Sequence, residues 1–140
     1  MQININKLKL NAKIPFYAHE GDAGMDVFSC EDYLLKKDEI YAYSTGISSE
    51  IPKGFTAIVH DKSGLALKSG IKTMGGVIDS GYRGEWKIIL KNLGSFDFQI
   101  NIGDKIAQVI IYSIERAKII ESKTLSETKR GAGGFGSTGK

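Results

Sequence analysis

A chain of 140 residues that is 41% hydrophobic and 25% charged has the apolar content for one packed domain and too much of it for a disordered chain. Its formal net charge of +3, spread without a long basic run, gives no electrostatic footprint for a nucleic acid. Cys30 is the only cysteine, which rules out a disulfide within the chain and points to a reducing compartment. No stretch approaches the ~18–20 apolar residues of a membrane span. The opening "MQININKLKLNAK" lacks the apolar run of a signal peptide. The expectation is a soluble cytoplasmic protein with no nucleic-acid or membrane partner.

Along the chain the dominant period is two. "KLKL" (Lys7 to Leu10) alternates polar and apolar. "GDAGMDVFS" (Gly21 to Ser29) reads as a glycine-containing turn with Asp26 at the entry to a strand. After the turn signal "IPKG", the β-branched and aromatic run "FTAIVH" (Phe55 to His60) reads as a strand. "SGLALKSG" is the only stretch with helical patterning, and its glycines confine it to a short helix. "GGVIDSGYRGEW" (Gly75 to Trp86) has the glycine density of a tight β-hairpin or of a backbone that approaches a ligand closely. "EWKIIL" (Glu85 to Leu90), "FDFQINI" (Phe96 to Ile102) and "IAQVIIYSI" (Ile106 to Ile114) are further strands. In "FDFQINI", Phe96, Phe98, Ile100 and Ile102 fall on one face. Many short strands divided by turns imply an antiparallel sandwich or barrel. From Gly131 to Lys140 five of ten residues are glycine, a composition that cannot repay its ordering entropy. That tail is expected to be mobile until something binds it, and Phe135 suits a lid over a flat ligand better than a linker.

Several stretches hold residues able to do chemistry. Asp22 and Asp26 are either turn residues or, for Asp26, a carboxylate near a hydrated metal. Lys62, Ser63 and Gly64 put a cation, a hydroxyl and a permissive backbone at a strand end, which is either an anion cradle or an exposed turn. Asp79 ends the apolar pair Val77-Ile78, where a partly shielded carboxylate can serve as a general base. Asp79-Ser80-Gly81 is equally well a β-turn. Gln108 either faces solvent or donates its amide to a phosphate oxygen.

Taken together and in order, "AGMD", "SGLALK", "GVIDSGYRG", "GDKIAQ" and "RGAGGFGSTG" resemble the five motifs of the trimeric dUTPase family, at its usual spacing and over most of the chain. The resemblance implies an all-β, jelly-roll-like β-barrel over residues 1–128. Residues 129–140 would be a flexible, Gly-rich C-terminal arm of the same domain. It implies a homotrimer with shared active sites that hydrolyses dUTP to dUMP and pyrophosphate with Mg²⁺, keeping uracil out of DNA and supplying dUMP for thymidylate synthesis. Asp79 then matches the carboxylate that activates the attacking water, and Asp26 the one that holds the metal through water. Lys62, Ser63, Gly64 and Gln108 match phosphate-contacting positions, and Tyr82 the ring packed beneath deoxyribose. Gly75, Gly76, Val77 and Ile78 match a uracil-reading hairpin. In the closing arm Phe135 would stack on uracil, with Arg130, Gly136, Ser137 and Thr138 at the nucleotide.

The pattern departs from the family at Lys62, where arginine is common, and at Asp61, where proline is frequent. Lysine keeps the charge and loses the bidentate fork, and a carboxylate at 61 is tolerable beside a triphosphate if it faces away. Two other readings compete: a non-catalytic nucleotide-binding or regulatory module on the same fold, and a dCTP deaminase relative. The presence of both Asp79 and the arm favours hydrolysis over either.

Overall fold

The computed structural model describes residues 1–134. Its regular structure is eleven antiparallel-paired strands and one helix: β1 (Asn4–Lys7), β2 (Met25–Phe28), β3 (Tyr33–Leu35), β4 (Ile40–Ser44), β5 (Ile47–Glu50), β6 (Phe55–His60), α1 (Ser63–Ser69), β7 (Ile71–Met74), β8 (Val77–Asp79), β9 (Lys87–Asn92), β10 (Phe98–Ile100) and β11 (Lys105–Ser113). The mainly-β expectation holds. The strands form a four-stranded sheet, β2-β11-β6-β8, a three-stranded sheet, β4-β9-β7, and two pairs, β1-β5 and β10-β3.

The core lies between these sheets. Alternation along β9 turns Ile88 and Leu90 inward, and they meet Val27, Leu35, Tyr43, Ala57, Trp86, Ile100 and Val109. Buried polar groups are paired. Trp86 Nε1 donates to Ser49 Oγ at 3.1 Å. The Asn92 amide donates to Leu35 O and Phe96 O and accepts from Gly94 N, which ties β9 to β3 and to the loop before β10. Among the described residues no buried side-chain N or O lacks a partner.

Three expectations change. "FDFQINI" is a strand only over Phe98–Ile100. Before it, Asp97 accepts the Lys37 N–H and Phe96 is exposed; after it, Asp104 accepts the Asn101 N–H and bends the chain. Side-chain capping of the turns overrides the alternation at both ends. "KLKL" begins on the last residue of β1, Lys7, and its other three residues enter a turn where Ala12 N donates to Lys9 O. The third change concerns Gly75-Gly76, which is a corner and not a hairpin. β7 pairs with β9 and β8 with β6, so the chain crosses from one sheet to the other there. Gly76 makes this possible: its φ is +103° and a Cβ would come within 2.7 Å of Val59 Cβ.

Candidate active site

Two clefts hold half of the site residues assigned from the sequence. In the first, β2, β11 and β6 lie side by side, with Asp26 opposite Gln108 and Gln108 opposite His60. Lys62 follows two residues after the end of β6. Asp26 is 4% exposed, and Lys62 Nζ meets its Oδ1 while Lys105 Nζ meets its Oδ2, both at 2.7 Å. Burial pushes this carboxyl up, but the hydrogen bonds from Lys105 and Lys62, with their charge, outweigh it and hold the group below the ordinary carboxylate value. The trio of two ammoniums and one carboxylate is net cationic and lines a cleft of about 420 Å³ with Gln108. Asp22 on the same wall is committed to its own turn, accepting the His19 N–H at 2.9 Å. A cationic wall with an amide donor suits a polyanion.

The trio also sets what metal binding can be. Each Asp26 oxygen already accepts from an ammonium, so a cation cannot take the carboxylate directly without displacing a lysine. An ionised carboxylate has about four lone-pair sites, so Asp26 still accepts hydrogen bonds from metal-bound water. Among the described residues no three His, Cys, Asp or Glu side chains gather. This donor set fits Mg²⁺ carried by phosphate oxygens and water, and does not fit a cage built by the protein alone.

The second cleft, about 260 Å³, is lined by Gly76, Val77, Ile78, Asp79 and Tyr82, with Trp86 on its wall. Gly75 completes the corner beside it. Alternation along the edge strand β8 sends Ile78 into the core and turns Val77 and Asp79 outward. The shielding expected for Asp79 is therefore absent from the single chain, where it is exposed. The β-turn reading of the same stretch is present as well: Tyr82 N donates to Asp79 O at 3.1 Å. Tyr82 Oη donates to Glu85 O at 3.1 Å, so its ring lies back over Gly84, where a Cβ would come within 2.4 Å of the hydroxyl.

The fold does not join the clefts. β8 meets β6 at Asp79↔Thr56, whereas Gln108 stands opposite His60, four residues along the same strand. That is ~13 Å of strand plus two strand spacings of ~4.8 Å. Asp79 is out of reach of the Asp26 group. Ser63 and Gly64 open α1 directly after Lys62 and are exposed. Arg130 donates from Nε to Gly133 O within its own turn. Phe135, Gly136, Ser137 and Thr138 lie outside the described residues. A wider cleft of about 800 Å³, lined by Glu50, Ser80, Arg83 and Arg116, holds none of the predicted residues.

Sequence reasoning missed Lys105 altogether. Under a period of two, positions 105 and 108 face opposite ways. A register shift between Lys105 and Ala107 turns Lys105 to the face of Gln108, and no pattern in the residue types announces it. Asp61 does face away from the first cleft: its carboxylate accepts from Lys72 and Thr73 on β7.

A family model described as dUTPase matches residues 10–139. A deoxyuridine 5'-triphosphate nucleotidohydrolase of Clostridium tetani is 50% identical over 140 residues, covering 99% of this chain and 97% of that protein. One of Clostridium kluyveri is 47% identical, with 99% of each chain covered. Among solved structures, the dUTPase of Staphylococcus bacteriophage 80alpha with dUPNHPP superposes with a TM-score of 0.93 at 27% identity, covering 99% of both chains. A mutant dUTPase from phage phi11 of S. aureus, described as revealing the coordination of a structural Mg(II) ion, superposes with a TM-score of 0.84 at 26% identity, covering 91% of this chain and 100% of that one. With a family model matched over residues 10–139 and relatives at half identity along the full length, the chain belongs to the dUTPase family.

Proposed function

We propose that this protein is an enzyme that hydrolyses dUTP to dUMP and pyrophosphate, with water attacking the α-phosphorus. The observation that carries the reading is the pair of clefts, one cationic around Asp26, the other small, mostly apolar and ending in the exposed carboxylate of Asp79, in a chain of this family.

The triphosphate belongs in the first cleft. Lys62, Ser63, Gly64 and Gln108 contact its oxygens, and Lys105 adds a cation beside them. The base and sugar belong in the second. There the backbone of Gly75, Gly76, Val77 and Ile78 presents fixed donors and acceptors that suit uracil and leave cytosine's amine unpaired. Tyr82 packs beneath the deoxyribose, where a 2′-hydroxyl would collide with the ring. Asp79 removes a proton from water and holds the resulting nucleophile beside the phosphorus, which bulk hydroxide, repelled by the polyanion, reaches poorly. Mg²⁺, when bound, neutralises charge on the phosphates. Asp26 would hold its waters by accepting their hydrogen bonds, and the two lysines keep Asp26 ionised to do so.

The distance between the clefts supports a homotrimer with shared sites: Asp79 and the base cleft come from one chain and the Asp26 group from another. The same reading takes residues 1–128 as one jelly-roll-like barrel domain and residues 129–140 as an arm. Arg130, Phe135, Gly136, Ser137 and Thr138 of that arm close over the nucleotide and exclude bulk water. The proposed substrate is a free nucleotide, which supports a cytoplasmic location.

The test is pyrophosphate release with Mg²⁺ from dUTP, UTP, dCTP and dTTP. Only dUTP is expected to turn over rapidly. Asp79→Asn should lower kcat by roughly 10²–10⁴, the usual weight of a general base, with dUTP binding retained. Near wild-type turnover by that variant would end the assignment.

A further inference from the structure

Asp61 lies between the end of β6 and Lys62, and both of its carboxylate oxygens are engaged. Oδ1 accepts the Thr73 backbone N–H at 2.8 Å and the Thr73 hydroxyl at 2.6 Å. Oδ2 accepts from Lys72 Nζ at 2.6 Å. Both partners are on β7, an edge strand of the three-stranded sheet. An edge strand leaves outward N–H groups without a ladder partner, and Asp61 supplies one. β7 itself is held by β9 through the whole of Ile71–Met74.

The segment that Asp61 introduces has no such support. α1 carries Ser63 and Gly64 at its start and fully buries none of its residues; half-buried Leu65 packs against the core, which leaves the exposed Ser63 and Gly64 to be set by the chain that leads into them. At its far end Leu93 N donates to Gly70 O at 2.9 Å. At its near end stand the three bonds of Asp61 and the Lys62–Asp26 pair. We infer that Asp61 is a positioning residue for phosphate binding: by clasping Thr73 and Lys72 on β7, it sets the path of the chain through Lys62, Ser63 and Gly64. This rests on the reading that those three residues contact the phosphates. The negative charge of Asp61 costs the polyanion little, because the Lys72 ammonium balances it and the carboxylate points to β7.

Because β7 is the rigid partner, losing the clasp should loosen the phosphate half of the site and spare the base half. The experiment measures KM and kcat for dUTP, inhibition by inorganic tripolyphosphate and by deoxyuridine, and the melting temperature, for the wild type and for Asp61→Ala, Asp61→Asn and Thr73→Val. Asp61→Ala should raise KM and weaken tripolyphosphate about tenfold, the weight of a lost charge-assisted hydrogen bond, with deoxyuridine inhibition unchanged. Asp61→Asn keeps an oxygen for Thr73 and should recover part of the loss. Thr73→Val should shift tripolyphosphate in the same direction by less, and adding it to Asp61→Ala should cost little more. If Asp61→Ala does not fold, the Asn and Val variants carry the same comparison. Unchanged tripolyphosphate inhibition in a folded, active variant overturns the inference, as does an equal loss for both inhibitors. A wild type that leaves dUTP intact would instead refute the proposed function.

Discussion

Asp26 places one negative charge between two ammonium groups, and the balance of those three charges governs both stability and the site. Replacing it by Asn leaves Lys62 and Lys105 facing each other without a counter-ion. Removing one partner of a buried pair costs about 3–5 kcal/mol, and solvent at the two lysines reduces that to about 1–3 kcal/mol here. Chemical denaturation of Asp26→Asn should show that loss, while Lys62→Met should cost less, because Lys105 still pairs with the carboxylate. The sign with pH follows. Asp26, Asp61 and Glu85 all sit below their ordinary values: burial opposes this, and hydrogen bonds from Lys105 and Lys62, from Lys72 and Thr73, and from Ser44 and the Gly46 N–H outweigh it. Their stabilisation is fully present above the ordinary carboxylate range, ~4, and is lost as pH falls through the lower folded values. The melting temperature should be flat from neutrality to about pH 5 and drop steeply below ~4. Asp26→Asn should flatten that acid limb; an unchanged limb would mean that the trio does not stabilise the fold. Asp26 itself was legible because it stands in a turn-to-strand motif. Its pairing with Lys105 was not, since a register shift on β11 has no signature in residue type.

At the level of elements, the sequence gives strand positions where one face packs and turn chemistry does not intrude. β6 coincides with "FTAIVH", whose apolar and β-branched side chains meet the core. β10 is shorter than its alternation predicts because Asp97 and Asp104 cap the turns on either side. Nor can two glycines say whether the strands they join pair with each other or enter different sheets, since both turns need the same backbone freedom. The corner and the turn after β8 nonetheless set the base cleft, and Gly84 is its most sensitive point. A methyl group there would strike the Tyr82 hydroxyl and move the ring off its seat. Gly84→Ala should therefore lower the preference for dUTP over UTP by about tenfold, the scale on which a displaced pocket contact acts. Stability should change far less, because residue 84 lies outside the strands. Competition kinetics with the two nucleotides give the ratio directly. An unaltered ratio would show that Tyr82 does not sense the sugar.

The whole molecule carries an apolar surface that the single chain does not cover. Among the described residues the last strand ends at Ser113, and residues 114–132 run without strand or helix, all exposed, with Ile119 and Leu125 each 89% accessible. Several large side chains in one exposed run, and two clefts that the fold of one chain keeps apart, are what the proposed homotrimer would account for. A solution mass of about three times the 15.3 kDa chain is the first requirement. The decisive measurement mixes two inactive proteins. Asp79→Asn keeps the phosphate cleft and lacks the base. The double variant Ser63→Ala, Gln108→Ala keeps Asp79 and lacks two of the proposed phosphate contacts. If each site took both parts from one chain, no mixed trimer could contain an intact site, and the mixture would show only the sum of its parents. If the parts come from neighbouring chains, random reassembly of an equimolar mixture pairs an intact Asp79 with an intact phosphate cleft in about a quarter of sites. Refolding the two together should then recover about a quarter of wild-type turnover, with KM unchanged, because each restored site is chemically wild type. Recovery that appears only after subunits exchange would locate the chemistry at the boundary between chains.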